Sequence, residues 1–105
     1  MSILDKAVSH FDGLQNRSLE VPEWGVTVYF DMPTLKQRMS WSKMSEARAQ
    51  ATVLIKCLKD ETGQPVFEDT PDTMAALQTK VDPRITARLV GAVLGTATPE
   101  DMGND

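Results

Sequence analysis

The spacing of apolar residues changes along this chain, and each change of period predicts an element. Between Met1 and Asn16 the residues Ile3, Leu4, Val8, Phe11 and Leu14 recur at helical spacing, which predicts a short amphipathic helix. Gly13 and Asn16 then interrupt it, and the period falls to two. Leu19 and Val21 alternate with Ser18 and Glu20, and Val26, Val28 and Phe30 alternate with Thr27 and Tyr29. With Pro22-Glu23-Trp24-Gly25 between them, these runs predict a β-hairpin over Arg17 to Phe30. Pro22 suits the second position of a tight turn, and Gly25 tolerates the positive φ of a turn exit.

Helical spacing returns after the hairpin. Thr34-Leu35-Lys36-Gln37 has the form of a capping box, so a short helix is predicted from there to about Ser40–Ser42. A second start near Ser45 opens a central helix over Glu46 to Leu58, with Ala47, Ala51, Leu54 and Leu58 as its stripe and Gln50, Val53 and Cys57 beside it. Asp60 to Gln64 reads as a turn, and Pro65-Val66-Phe67 as a small edge ribbon or extended loop. Thr70-Pro71 and Asp82-Pro83 each place a capping oxygen before a proline at the first helical position, where the missing N–H is harmless. They open helices over Pro71 to about Lys80 and Pro83 to about Thr96. Met74, Leu77 and Val81 mark the inward face of the first, and Ile85, Leu89, Ala92 and Val93 that of the second. The predicted fold is a mainly helical α+β domain over residues 1–97: one small N-terminal β-hairpin followed by a bundle of about four helices. Residues 98–105, with three acids and little apolar content, are predicted to be a disordered tail.

Composition narrows the chemistry. A length of 105 residues suits one compact domain with a thin stability margin, to which self-association is a natural supplement. Eleven Lys and Arg against 15 Asp and Glu give a net charge of −4, which opposes sequence-independent binding to nucleic-acid phosphates. No apolar run is long enough to cross a membrane, and the first residues lack the basic and then apolar blocks of a signal peptide. The lone Cys57 excludes an internal disulfide and suits a reducing cytoplasm.

No constellation for catalysis emerges. His10, the sole histidine, has no spaced nucleophile, carboxylate or co-ligand, so it reads as an ordinary surface residue. Cys57 lies on the apolar flank of the central helix and reads as a small hydrophobe. The acids Asp60, Glu61, Glu68, Asp69 and Asp72 lack the ligand alternation of a calcium loop, and no glycine-rich phosphate cradle is present. Neither a metal nor a cofactor is expected, and the chain reads as non-enzymatic. Lys80, Arg84 and Arg88 on the last two helices imitate a basic recognition face, but capping and surface solubility account for them as well. Trp24 at the hairpin tip and Tyr29 on its outward face are candidate anchors for another chain, core packing being the alternative for Trp24. Val66 and Phe67 on the Pro-marked ribbon join them as a candidate self-association surface, because hairpin and ribbon both carry unpaired edges. Met39 and Met44, with Met32 close by, offer adaptable contacts, or else fill an irregular core.

The runs Leu19-Glu-Val-Pro-Glu-Trp-Gly-Val-Thr-Val-Tyr-Phe30, Leu35 to Arg38 and Leu58-Lys-Asp-Glu-Thr-Gly-Gln-Pro-Val-Phe67 together resemble the tail assembly chaperones of long-tailed, non-contractile phages and prophages. In that family a Val-Pro-Glu-Trp-Gly-like hairpin precedes a short helix, a longer helix ends in an Asp-Glu-x-Gly-x-x-x-Phe ribbon, and two helices follow. The resemblance runs from about Leu19 to Leu94. Gly91 and Gly95 punctuate a final helix that is usually more apolar. It implies a non-enzymatic protein in the cytoplasm of the bacterial host, absent from the finished virion. Such a protein holds the tape measure protein soluble until tail tube subunits polymerise around it. The tape measure protein is the expected partner, the major tail protein a second one, and a homo-oligomer, as a ring or open spiral, the expected state. Two other readings stay open: a small structural protein at the head-tail junction or tail end, and a helix-turn-helix regulator that binds DNA.

Overall fold

The computed structural model describes residues 2–95. The predicted tail at 98–105 and the far end of the last predicted helix lie outside them. Five α-helices and three strands occur among the described residues: α1 (Ile3–Asp12), β1 (Arg17–Val21), β2 (Val26–Phe30), α2 (Leu35–Trp41), α3 (Glu46–Cys57), β3 (Leu58–Lys59), α4 (Pro71–Thr79) and α5 (Pro83–Leu94). The hairpin and the four helices after it appear where the sequence places them. The mainly helical α+β class is the observed one.

Local chemistry fixes the helix starts. Thr34 and Gln37 form the reciprocal capping box, the Gln37 N–H donating to Thr34 Oγ1 at 3.1 Å and the Thr34 N–H to Gln37 Oε1 at 2.9 Å. Ser45 caps α3, Thr70 caps α4 and Asp82 caps α5, the last two with proline following. A second capping box, Ser2 with Asp5, opens α1. Gly95 ends α5 in the left-handed region at φ 70°, where a side chain is strained, whereas Gly91 lies buried inside the helix.

The hairpin pairs Val21 with Val26, Leu19 with Val28 and Arg17 with Phe30. Its connection is one 3₁₀ turn, Pro22–Trp24, closed by Gly25 at φ 67°. The sequence leaves the hairpin as a pair of strands, but the sheet has a third, β3, which pairs Leu58 with Phe30 and Lys59 with Tyr29. Leu58 follows the last helical residue of α3 directly. The Pro65–Phe67 segment joins it through a single bridge, Lys59 to Pro65. Two residues suffice for a strand here because Phe30 and Tyr29 already offer a free ladder edge.

One face of the sheet carries Val21, Val28, Phe30 and Leu58 into a core shared with Leu54, Leu77, Ile85, Leu89 and Val93. α3 supplies the widest share: Ala51 to Ile55 are all buried, as is Cys57. Ala47, expected on the core stripe, lies on the same side of α3 as Leu54 but is exposed, because it sits in the first turn of the helix and borders an open pocket lined also by Leu77 and Val81. α2 contributes Trp41 alone.

Buried and exposed leucines should therefore respond differently to the same truncation. Leu54→Ala is expected to cost about 2–5 kcal/mol, for lost transfer energy plus a residual cavity. Leu35→Ala, on a largely exposed side chain, should stay within about 0.5 kcal/mol. Urea unfolding monitored by circular dichroism measures both.

Candidate functional site

The hairpin tip brings two of the candidate anchors together. Trp24 and Phe67 meet edge to face, with ring centroids 6.3 Å apart and planes at 86°. Both are half-buried against the core. They stand 43 positions apart in the chain, so the contact ties the hairpin tip to the segment after β3. Val66, next to Phe67, is exposed, and so is Val26, two residues beyond Trp24. The Val66 N–H donates to the Leu58 carbonyl at 3.3 Å, which holds this segment beside β3.

An ion pair fixes the same tip to the last helix. Arg88 Nη2 and Nη1 donate to Glu23 Oε1 and Oε2 at 2.7 and 3.1 Å, a bidentate fork between residues 65 apart. The Arg88 hydrogen bond holds the Glu23 carboxyl below its ordinary range, helped by a backbone N–H. Arg84 is likewise engaged, by Asp82 at 2.8 Å. Of the three cations that imitate a recognition face, these two are thus neutralised by carboxylates.

The remaining candidates lie elsewhere. Tyr29 is half-buried on the outer face of the central strand, between Ser18 and Lys59. Met44, in the link between α2 and α3, is half-buried against the core, with its sulfur 3.5 Å from the Thr52 hydroxyl, which donates to the Arg48 carbonyl at 2.8 Å. Met39 is on α2 and 58% exposed. The six residues therefore do not form one patch: Trp24, Val66 and Phe67 cluster at the hairpin tip, whereas Met39 sits on a separate surface.

Other exposed apolar residues lie on α2 and on α1. Leu35, one turn before Met39, is 76% exposed, and Ile3, Leu4 and Val8 on α1 are 83%, 71% and 52% exposed. No residue of α1 is buried. Between α2, α3 and α5 lies an open groove of about 220 Å³ lined by Arg38, Trp41, Val53, Val90 and Leu94. Periodicity in the sequence marks the apolar face of α1 but gives no sign that the fold leaves it uncovered.

The titratable groups serve structure. Asp60 Oδ1 accepts from the Thr62 hydroxyl at 2.6 Å and from the Thr62 and Gln64 N–H groups, which lowers its pKa and consumes the carboxylate within its own turn. Burial, and after it the negative charge of Asp31, push the Cys57 thiol up to about 11. Such a thiol stays protonated near neutrality and is a poor nucleophile or soft-metal ligand. Among the described residues no group of three or more His, Cys, Asp or Glu is placed to hold a metal ion, and no helix is long and apolar enough to cross a membrane.

Two outcomes are expected. The Cys57 thiol should react with an aromatic disulfide reagent far more slowly in the native protein than in urea, followed by absorbance. For Glu23 the folded pKa is lowered, so its contribution is full above the ordinary value of 4.5 and is lost as pH falls through the folded value. The Tm of the parent should therefore drop more steeply below that value than the Tm of Glu23→Gln, in calorimetry across the acid range.

No family model and no curated protein sequence matches this chain. Among solved structures, that of the bacteriophage HK97 tail assembly chaperone superposes with a TM-score of 0.60 at 24% sequence identity, over 90% of this chain and 97% of that one. The similarity spans nearly the whole of both proteins, and the chain shares the fold of that chaperone.

Proposed function

We propose that this chain is a phage tail assembly chaperone that keeps a tape measure protein soluble while tail tube subunits polymerise around it. The observation that carries the reading is the fold shared, over 90% of this chain and 97% of the other, with a phage tail assembly chaperone. The sequence resemblance over Leu19 to Leu94 supports it from a different direction, through the hairpin turn and the ribbon after the central helix. Physical chemistry supplies the reason such a surface is useful. A long helical client exposes apolar faces that aggregate unless a partner covers them. Exposed apolar side chains on an acidic protein, here with a net charge of −4, give that cover while like charge keeps the loaded complex dispersed.

Within this reading the hairpin tip receives the client. Trp24 and Phe67 are rigid rings held by each other and by the core, so little rotamer freedom is lost when a partner packs on them. Val66 and Val26 beside them extend the apolar area. The chain acts without catalysis, in the cytoplasm of the bacterial host, and leaves before the virion is complete. The major tail protein is a second partner on the same assembly route.

Co-expression tests the reading. The tape measure protein encoded with this chain should be recovered in the soluble fraction with it and in aggregates without it. Val66→Asp, at an exposed position, should weaken client capture by about tenfold, equivalent to roughly 1.4 kcal/mol, with the Tm of the chain unchanged. Finding the chain in purified particles by mass spectrometry would favour a structural protein of the virion instead.

A further inference from the structure

We infer that residues 96–105, past the end of α5, dock in the groove between α2, α3 and α5 of their own chain, with Met102 on its apolar floor and Glu100 and Asp101 against the cations of α2. This goes beyond the chaperone reading and does not depend on it. Three observations carry it.

The first is the groove itself. Trp41, Val53, Val90 and Leu94 give it an apolar lining around a volume of about 220 Å³, and an apolar cavity of about 150 Å³ already accepts a guest the size of benzene. Methionine, unbranched and flexible, suits such an irregular space. Arg38, Ser42 and Gln50 supply the polar edge.

The second is the place where the segment starts. Leu94, the last residue of α5, is part of the groove wall, and Gly95 ends the helix at φ 70°. A Cβ on Gly95 would lie 3.6 Å from Met32 Cε, so the chain leaves α5 beside the stretch that leads into α2. Extended backbone advances about 3.3–3.6 Å per residue, so the stretch from Gly95 to Met102 spans up to roughly 23–25 Å. The groove wall on α5, from Val90 to Leu94, is one helical turn of about 6 Å. Met102 therefore reaches the groove floor with chain to spare.

The third is charge. Residues 96–105 carry Glu100, Asp101 and Asp105 and neither Lys nor Arg. Arg38 edges the groove, Lys36 and Lys43 stand on the same stretch of chain, and Arg48 precedes Ala49 of the α3 wall. None of the four ion pairs among the described residues involves these cations. Glu46 is the one acid on the three helices, and it accepts from the Gln50 amide at 3.4 Å. Asp31, next to Met32, already holds Lys59 and the Asn16 N–H, and Asp82 holds Arg84 at the far end of α5. The balance around the groove is basic. An acidic segment with little apolar content gains order only against another surface, and this one starts at the wall of a groove whose charge and floor both complement it.

The test places a nitroxide spin label on the full chain at Asn104→Cys, under native conditions in which the buried Cys57 reacts slowly, and reads amide signals by NMR. The amides of Arg38, Ser42, Gln50 and Leu94 should broaden, and those of the hairpin tip around Trp24 should not. Three variants of the labelled chain separate docking from mere tethering: Met102→Ser, Arg38→Glu, and Glu100→Arg with Asp101→Arg. Each should lower the ratio of docked to free segment by about tenfold. Combining Arg38→Glu with Glu100→Arg and Asp101→Arg should restore part of the broadening, which a merely disturbed fold would not do. Matching amide shifts at the hairpin and α4 confirm that each variant folds like the parent. Groove amides that stay sharp in the parent, or broadening that persists in any of the three weakened variants, overturn the inference. So does equal broadening when isotope-labelled chain without nitroxide is mixed with unlabelled chain that carries it, because the segment then docks on a second copy. Groove amides that change only when the tape measure protein is added assign the groove to a client and overturn it as well. The docking itself is read without a client, so its failure leaves the chaperone reading standing, and the converse also holds.

Discussion

The fold turns on the passage from α3 to β3, where Cys57 ends the helix and Leu58 begins the strand with no residue between them. A loop at this point would let the sheet and the helices find their relative position through side chains alone. Without one, the backbone itself sets it. Leu58 caps α3 through an N–H that donates to the Leu54 carbonyl, and it pairs with Phe30 in the same step. The Asp31 N–H then donates to the Cys57 carbonyl at 3.4 Å, so the exit of β2 is joined to the last turn of the helix. Leu54 and Leu58, both essentially inaccessible, lie on either side of this junction and link the helical packing of α3 on α4 and α5 to the inner face of the sheet.

Asp31 extends the junction outward. Its carboxylate takes the Lys59 ammonium at 3.0 Å and the Asn16 N–H at 2.8 Å, which brings β3, the exit of β2 and the entry to β1 to one point. At the opposite end of the hairpin, the Glu23–Arg88 fork and the Trp24–Phe67 contact do the equivalent work. A two-stranded ribbon is at best marginal by itself. Here it is fastened at its base by a strand continuous with a helix and at its tip by two contacts to distant segments. Those contacts hold the half-buried aromatics at the tip in place.

What could be read in the sequence follows the range of the forces involved. The caps at Thr34, Ser45, Thr70 and Asp82 were legible because capping is settled within four residues. So was the hairpin, whose alternation and Pro-Glu-Trp-Gly turn are local. β3 was not legible, since Leu58-Lys59 carries no period of its own and becomes a strand only because β2 offers it an edge. Ala47 misleads for a related reason: helical spacing identifies a stripe, but neighbouring elements decide how far along the helix its burial extends. Trp41 falls at the predicted end of a short helix, yet it is the one buried side chain of α2. Of the candidate anchors, the residue types at the hairpin were visible in the sequence. That Trp24 would find Phe67, 43 positions away, depends on the completed sheet.

The contrast between the tightly joined α3–β3 centre and the loosely held α1 and α2 has a thermodynamic side. A chain of this size gains limited hydrophobic stabilisation from its own interior, so leaving Ile3, Leu4, Leu35 and Met39 in water forgoes part of a small total. The hydrogen bonds of Gln15 and Asn16 to the segment after β2 tie the exit of α1 to the sheet, while the helix itself buries no residue. Apolar area left exposed in this way adds nothing to the isolated chain, whereas the same area covered by another chain contributes to association. The residues that hold the core and the apolar residues left in water are therefore largely different sets, with Trp24 and Phe67, half-buried against the core, standing between them.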